Sequence, residues 1–184
     1  MDSHVRTALA ISVLASTLAA AAPASRPIDA AKSRATFSVS HIWVEHVTGN
    51  VPILSGSVTL ADGAMIPTEA TAVLDATRLA TDEPDRDASL KSPDFFDVTK
   101  FPQWTFVSSK VIPRGPNAFE MDGTLTIHGV AQPEKLDVTA SGSPAHPVYH
   151  ATAQIDRHAF GMAVTRLDPT IGASVDVTLD IVVQ

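Results

Sequence analysis

The chain has 184 residues, enough for one domain, and carries no cysteine. That excludes disulfides, thiolate metal sites, a cysteine nucleophile and a lipoprotein cysteine anchor. A net charge of −7 without a basic stripe excludes the electrostatic footprint of a nucleic-acid binder and argues against docking on anionic lipid by charge alone.

Met1 to Thr7 is polar and carries Arg6, and Ala8 to Ala22 is an uninterrupted run of apolar and small residues. "AAAAPAS" then supplies the small residues a signal peptidase needs. Residues 1–22 therefore read as a secretory signal peptide cleaved between Ala20 and Ser25. As a membrane anchor the run is shorter than the ~20 residues a spanning helix needs and is rich in Ala rather than Leu. Asp2 and Arg6 cancel, so the mature chain keeps its acidic charge. No later stretch is long and apolar enough to span a bilayer. A cysteine-free secreted chain suits a bacterial periplasm, where a larger domain relies on its core.

From residue 27 to 184 the signal is alternation. Arg34 to Val44 sets Phe37 and Val39 against Thr36, Ser38 and Ser40, the period of a half-buried strand. Val51 to Ala61 is a second strand, with a bend or bulge expected at Gly56. Thr68 to Ala76 places Ala70, Ala72 and Leu74 on one face. Gln103 to Ile112 does the same for Trp104, Phe106 and Ser108. In Ala118 to His128, Phe119, Met121, Gly123, Leu125 and Ile127 share one face and Glu120, Asp122, Thr124 and Thr126 the other. "GVAQP" is read as a turn, Glu134 to Ala140 as a strand, "SGSPAHP" as a loop, and Val148 to Ile155 as a strand. Ser174 to Val183 closes with Val175, Val177, Leu179, Ile181 and Val183 on one face.

These eight amphipathic strands, with no long helical pattern between them, predict an all-β antiparallel sandwich or closed barrel. Inward faces that mix large rings (Phe37, Trp104, Phe106, Phe119) with small residues (Ala70, Ala72, Gly123) leave volume for a ligand, although an interdigitated core is the alternative.

Motifs for catalysis are missing. There is no nucleophile elbow, no H-E-x-x-H, no P-loop and no dinucleotide fingerprint. His41 and His46 have an odd separation, which on an extended strand points them to opposite faces. Asp82, Glu83, Asp85 and Asp87 lack the register of a calcium loop and read as solvated charge. No metal or other cofactor is expected.

"DRDASLKSPDFFDVTKFP", Asp85 to Pro102, interrupts the alternation. Ser92 before Pro93 fits an N-cap with Pro at the first helical position, and Asp94 suits that first turn. Phe95 and Phe96 then need burial, so a short helix lying over a barrel end is predicted between the third and fourth strands.

With "FSVSH", "GTLTIHGVAQP", "IDRHAFGM" and "IGASVDVTLDI", this block in its order resembles the YceI-like family of periplasmic polyisoprenoid-binding proteins, from about Ile28 to Val183. The resemblance implies an extended eight-stranded, lipocalin-like antiparallel barrel that holds a long isoprenoid, quinone tail or fatty-acid-like chain without catalysis. It would place Phe37, Val39 and His41 in the first strand, Arg86 and Asp87 near the tunnel mouth, Phe95 and Phe96 on the covering helix, and Leu125 and Ile127 inside. Ala72, Leu74, Trp104, Phe106, Phe119, Met121 and Phe160 complete the expected ligand-binding set. The sequence departs from the family where Pro27 stands before Ile28 and Asp29, and at Ala173 and Ser174.

Arg86 is either the contact for a ligand head or a pin that pairs with Asp87 or Asp97 to hold the loop. A homodimer is compatible with this reading. Two other functions remain open: an enzyme of isoprenoid or lipid metabolism using polar residues at the mouth, and a stress-response interaction module with a filled barrel.

Overall fold

The computed structural model describes residues 22–42, 45–162 and 170–184. The signal-peptide reading falls on residues 1–22 and so lies almost wholly outside them. Ten strands form one sheet: β1 (Ala24–Pro27), β2 (Arg34–His41), β3 (Glu45–Asn50), β4 (Ile53–Leu60), β5 (Glu69–Asp75), β6 (Gln103–Pro113), β7 (Ala118–Ile127), β8 (Val130–Ser143), β9 (His146–Asp156) and β10 (Ile171–Val182). The spatial order is β1-β4-β5-β6-β7-β8-β9-β10-β2-β3, and all paired neighbours are antiparallel. Helix α1 (Pro84–Lys91) lies between β5 and β6. None of the described helices is long and apolar enough to cross a membrane.

The sheet curls round until the run after β1 reaches the end of β10. Only Val51 and Pro52 separate β3, last in the order, from β4, second in the order. The Val51 N–H donates to the Ala35 carbonyl at 3.0 Å. Past β1, Ile28 bridges Val183 and donates to the Gly56 carbonyl at 2.9 Å. This closure satisfies edge groups that would otherwise be open to another chain.

The described residues form ten strands where the sequence pattern predicts eight. The two extra ones carry no alternation to read. β1 is four residues, ends in Pro27 and is tied down by remote contacts: Arg26 donates to the carbonyls of Gln184, Pro144 and Ala145. β3, "EHVTGN", has Val47 as its one aliphatic residue. Of the run predicted from Arg34 to Val44, Arg34–His41 is strand, Ile42 takes φ 49°, and Trp43 and Val44 lie outside the described residues. The predicted turn "GVAQP" and loop "SGSPAHP" shrink as well. His128 and Gly129 alone make the first, at φ 53° and 74°, the left-handed pair a two-residue hairpin requires. Pro144 and Ala145 make the second. The bulge expected at Gly56 falls instead between Ile53 and Ser55. Gly56 has a different use, since a Cβ there would lie 2.7 Å from Ile28 Cδ1 at the closure.

The interior has two unlike ends. At one, Val58, Leu60, Phe106, Phe119, Met121, Val138, Ala140, Tyr149, Ala151 and Val183 pack solid. Phe119 meets Tyr149 edge to face at 5.9 Å, and the Tyr149 hydroxyl donates to the Met65 carbonyl at 3.1 Å. At the other end, Trp104, Ile127, Ile155 and Met162, backed by Leu79 and Phe160, line a wall that α1 and the turn after it roof over.

A cavity beneath helix α1

The roof is set by a cap that differs from the expected one. Glu83, not Ser92, is the N-cap of α1, and its carboxylate accepts from the backbone N–H of Asp85 and Arg86. Pro84 takes the first helical position, where its missing N–H costs nothing. Asp85 and Asp87 occupy the first turn and Lys91 the last, each matching the helix dipole. Ser92 is the C-cap. Phe95 and Phe96 therefore sit beyond the helix, in a turn where the Phe96 N–H donates to the Leu90 carbonyl at 3.0 Å. A Ser-Pro pair and a Glu-Pro pair compete for one short helix, and the earlier wins because Glu83 reaches two orphan donors.

Thr81, which the sequence pattern does not single out, holds this roof to the barrel. It is buried. Arg86 donates from Nε to its Oγ1 at 2.8 Å and from Nη2 to its carbonyl at 2.9 Å. Thr81 donates from N and Oγ1 to Asp87 Oδ1, at 2.7 and 2.6 Å. Arg86 thus pins the loop, and its acceptor is Thr81 rather than Asp87 or Asp97. The Thr81 hydroxyl holds the Asp87 carboxyl below its ordinary value.

Under the roof lies a cavity of about 640 Å³. Phe37 and Val39 of β2 line it beside their register partners Val177 and Val175 of β10. Trp104, Ile127 and Ile155 add β6, β7 and β9, and Leu90, Phe95 and Phe96 close the top. Phe96 leans on Trp104 with ring centroids 4.7 Å apart. The Trp104 indole N–H is buried and finds no acceptor among the described residues. Polar lining groups, namely His41, Arg86, Ser89, Ser92, Asp94 and Arg157, come from strand ends and the roof. His41 stands 3.9 Å from Glu45, while His46 is opposite Ser40. Arg157 is buried and donates to the carbonyls of Gly172, Ile171 and Met162, which fastens the end of β9 to the start of β10.

A smaller chamber of about 110 Å³ continues inward and shares Phe37, Trp104, Ile127, Ile155 and Val177 with the first. Ala72, Leu74, Phe106 and Leu125 line it. Glu134 contributes too, on β8 opposite Gly123, and burial, with Asp156 nearby, pushes its carboxyl above the ordinary value.

Of the residues expected from sequence, Phe37, Val39, His41, Arg86, Phe95, Phe96, Trp104 and Ile127 line the outer cavity, and Ala72, Leu74, Phe106 and Leu125 the inner chamber. Phe119 and Met121 lie in the packed end, Phe160 is buried behind the wall, and Asp87 faces Thr81. Val175, Val177, Ile155 and Met162 line the cavity but were not in the expected set, although their alternation or their block was already visible.

The YceI-like domain model matches residues 27–183. The chain belongs to the YceI-like family. A UPF0312 protein of Vibrio parahaemolyticus is 30% identical over 111 residues, 60% of this chain and 59% of that protein, so the match spans somewhat over half of the relative's length. Among solved structures, Burkholderia cenocepacia BcnA superposes with a TM-score of 0.78 at 23% identity, covering 85% of this chain and 99% of BcnA. A polyisoprenoid binding domain from Saccharophagus degradans superposes with a TM-score of 0.66 at 16% identity, covering 86% and 97%. Both likenesses support the YceI-like barrel fold.

Proposed function

We propose that this YceI-like domain is a non-catalytic binding protein that holds a long isoprenoid, quinone-tailed or fatty-acid-like lipid, and that it acts as a carrier in the periplasm after loss of residues 1–22. One observation carries the reading: two adjoining chambers, which share Phe37, Trp104, Ile127, Ile155 and Val177, are walled chiefly by aliphatic and aromatic side chains, with Thr36 and Glu134 the polar residues of the inner one and the other polar groups at the roofed end. A prenyl chain has no hydrogen-bonding groups and needs only dry, adaptable walls. Burial of its surface contributes ~25 cal/mol per Å² before the costs of association, so affinity requires no polar constellation.

The polar residues favour binding over chemistry. Arg86 and Asp87 are both bonded to Thr81, and His41 faces Glu45. No two of these converge in the inner chamber. The name of the Saccharophagus degradans domain points the same way. The polar rim would meet the lipid head, with Ser89, Ser92 and Asp94 beside it.

The test is to purify the protein from its host, extract it with organic solvent and identify bound lipid by mass spectrometry. A reproducible isoprenoid-type lipid is the expected result. A protein that is empty in every preparation, and that also takes up no prenol or quinone when offered, overturns the reading.

A further inference from the structure

Among the described residues, Phe106 alone is both a buried member of the solid end and a wall of the inner chamber. It stands where hollow barrel becomes filled barrel. Its position is fixed from two sides. On β7, Gly123 lies beneath the ring: a Cβ added there would come within 2.3 Å of Phe106 Cζ and 2.5 Å of Cε2. The ring thus occupies the space a side chain at 123 would take. On β5, its register partner is Ala72, whose small side chain leaves the chamber open just there. Beyond the ring come Phe119, Met121 and Tyr149, buried members of the packed end.

We propose that Phe106, seated on Gly123, is the floor that sets how long a lipid tail this barrel accepts. The inference rests on the lipid-binding reading above and deepens it. A tail shorter than the chamber gains buried surface with every isoprene unit added. Once its end touches the ring, further units must fold back or stay outside, and affinity stops rising. The floor can be moved in both directions. Phe106→Ala removes the ring and opens space toward Met121, a flexible side chain that can shift. Gly123→Ala pushes the ring up into the chamber, because the added Cβ cannot coexist with its present position.

The experiment measures affinity for geraniol, farnesol, geranylgeraniol and solanesol with the wild-type protein, Phe106→Ala, Phe106→Leu and Gly123→Ala. Thermal melting and circular dichroism check each variant's fold. Phe106→Leu keeps most of the packing and serves if the alanine variant does not fold. The wild-type affinity is expected to climb with length and then level off at a break. That break should move at least one isoprene unit longer in Phe106→Ala, less far in the same direction in Phe106→Leu, and at least one unit shorter in Gly123→Ala. A break at the same length in the wild type and in folded variants overturns the floor assignment while leaving lipid binding intact. An affinity that never levels off overturns it as well. Failure of the wild type to bind any of the four overturns the floor as a gauge of isoprenoid length, and the lipid reading is then decided by the extraction test above.

Discussion

Thr81 shows how much a single buried hydroxyl can organise. It accepts from Arg86 and donates to Asp87, so the Arg-Asp pair that marks the family block works as two grips on one residue. Replacing Arg86 by Met leaves the Thr81 carbonyl without its donor and should cost about 1–3 kcal/mol, read as a lowered midpoint in urea. Asp87 gives the site a pH dependence. Its carboxyl ionises below the ordinary aspartate value of about 3.9, chiefly through the Thr81 hydroxyl. Its contribution is therefore present above that value and is lost as pH falls through the lower folded one. The drop in melting temperature across that acid window should be smaller in Asp87→Asn than in the wild type. Tyr149 acts at the opposite extreme. Burial, opposed in part by Arg26, pushes its hydroxyl up to about 12. An unfolded tyrosine ionises near 10, so stability falls as pH rises from about 10 towards 12. Tyr149→Phe should flatten that alkaline loss in melting curves. Arg86 and Asp87 could be picked out in the sequence as a marked pair. Their partner could not, because a threonine several residues upstream carries no pattern of its own.

At the scale of elements, the long strands were legible and the short ones were not. β7 could be read in full because five inward residues alternate with four outward ones. β1 and β3 are held by pairing and by Arg26, which are tertiary facts with no local trace. Helix α1 was expected but displaced. Glu83-Pro84 and Ser92-Pro93 stand nine residues apart, and which of them caps a helix depends on the backbone donors that each side chain reaches. The β7–β8 hairpin gives a sharp test. Gly129 has φ 74°, and a Cβ there would lie 2.4 Å from Phe101 Cε1. Gly129→Ala should thus destabilise by more than ~1 kcal/mol, seen as a lower denaturation midpoint with an unchanged denaturant slope.

For the molecule as a whole, alternation foretold an antiparallel sandwich or barrel, the family resemblance pointed to the barrel, and alternation left open whether the inside was hollow or filled. It is both, at different ends. The mixture of Phe119, Met121 and Tyr149 at one end with Ala72, Val175 and Val177 at the other decides this, and only the register of the strands reveals which residues share a level. On sequence Phe119 and Met121 therefore fall with the ligand wall, because an inward face looks the same at every depth. The site's polar rim was less legible still, since it is assembled from strand ends and a loop far apart in the chain.

The outer cavity, about 640 Å³ across the roofed end, has a mechanical meaning too. Hydrostatic pressure favours whichever state occupies less volume, and the change on unfolding scales with the internal voids that disappear. A barrel with its chambers unfilled should therefore unfold at lower pressure than the same barrel loaded with a tail. High-pressure tryptophan fluorescence would record the difference from Trp104 itself, set in the cavity wall. Compressibility thus becomes a measure of occupancy: the amount by which loading raises the midpoint pressure reports how much of the hollow end a given lipid fills.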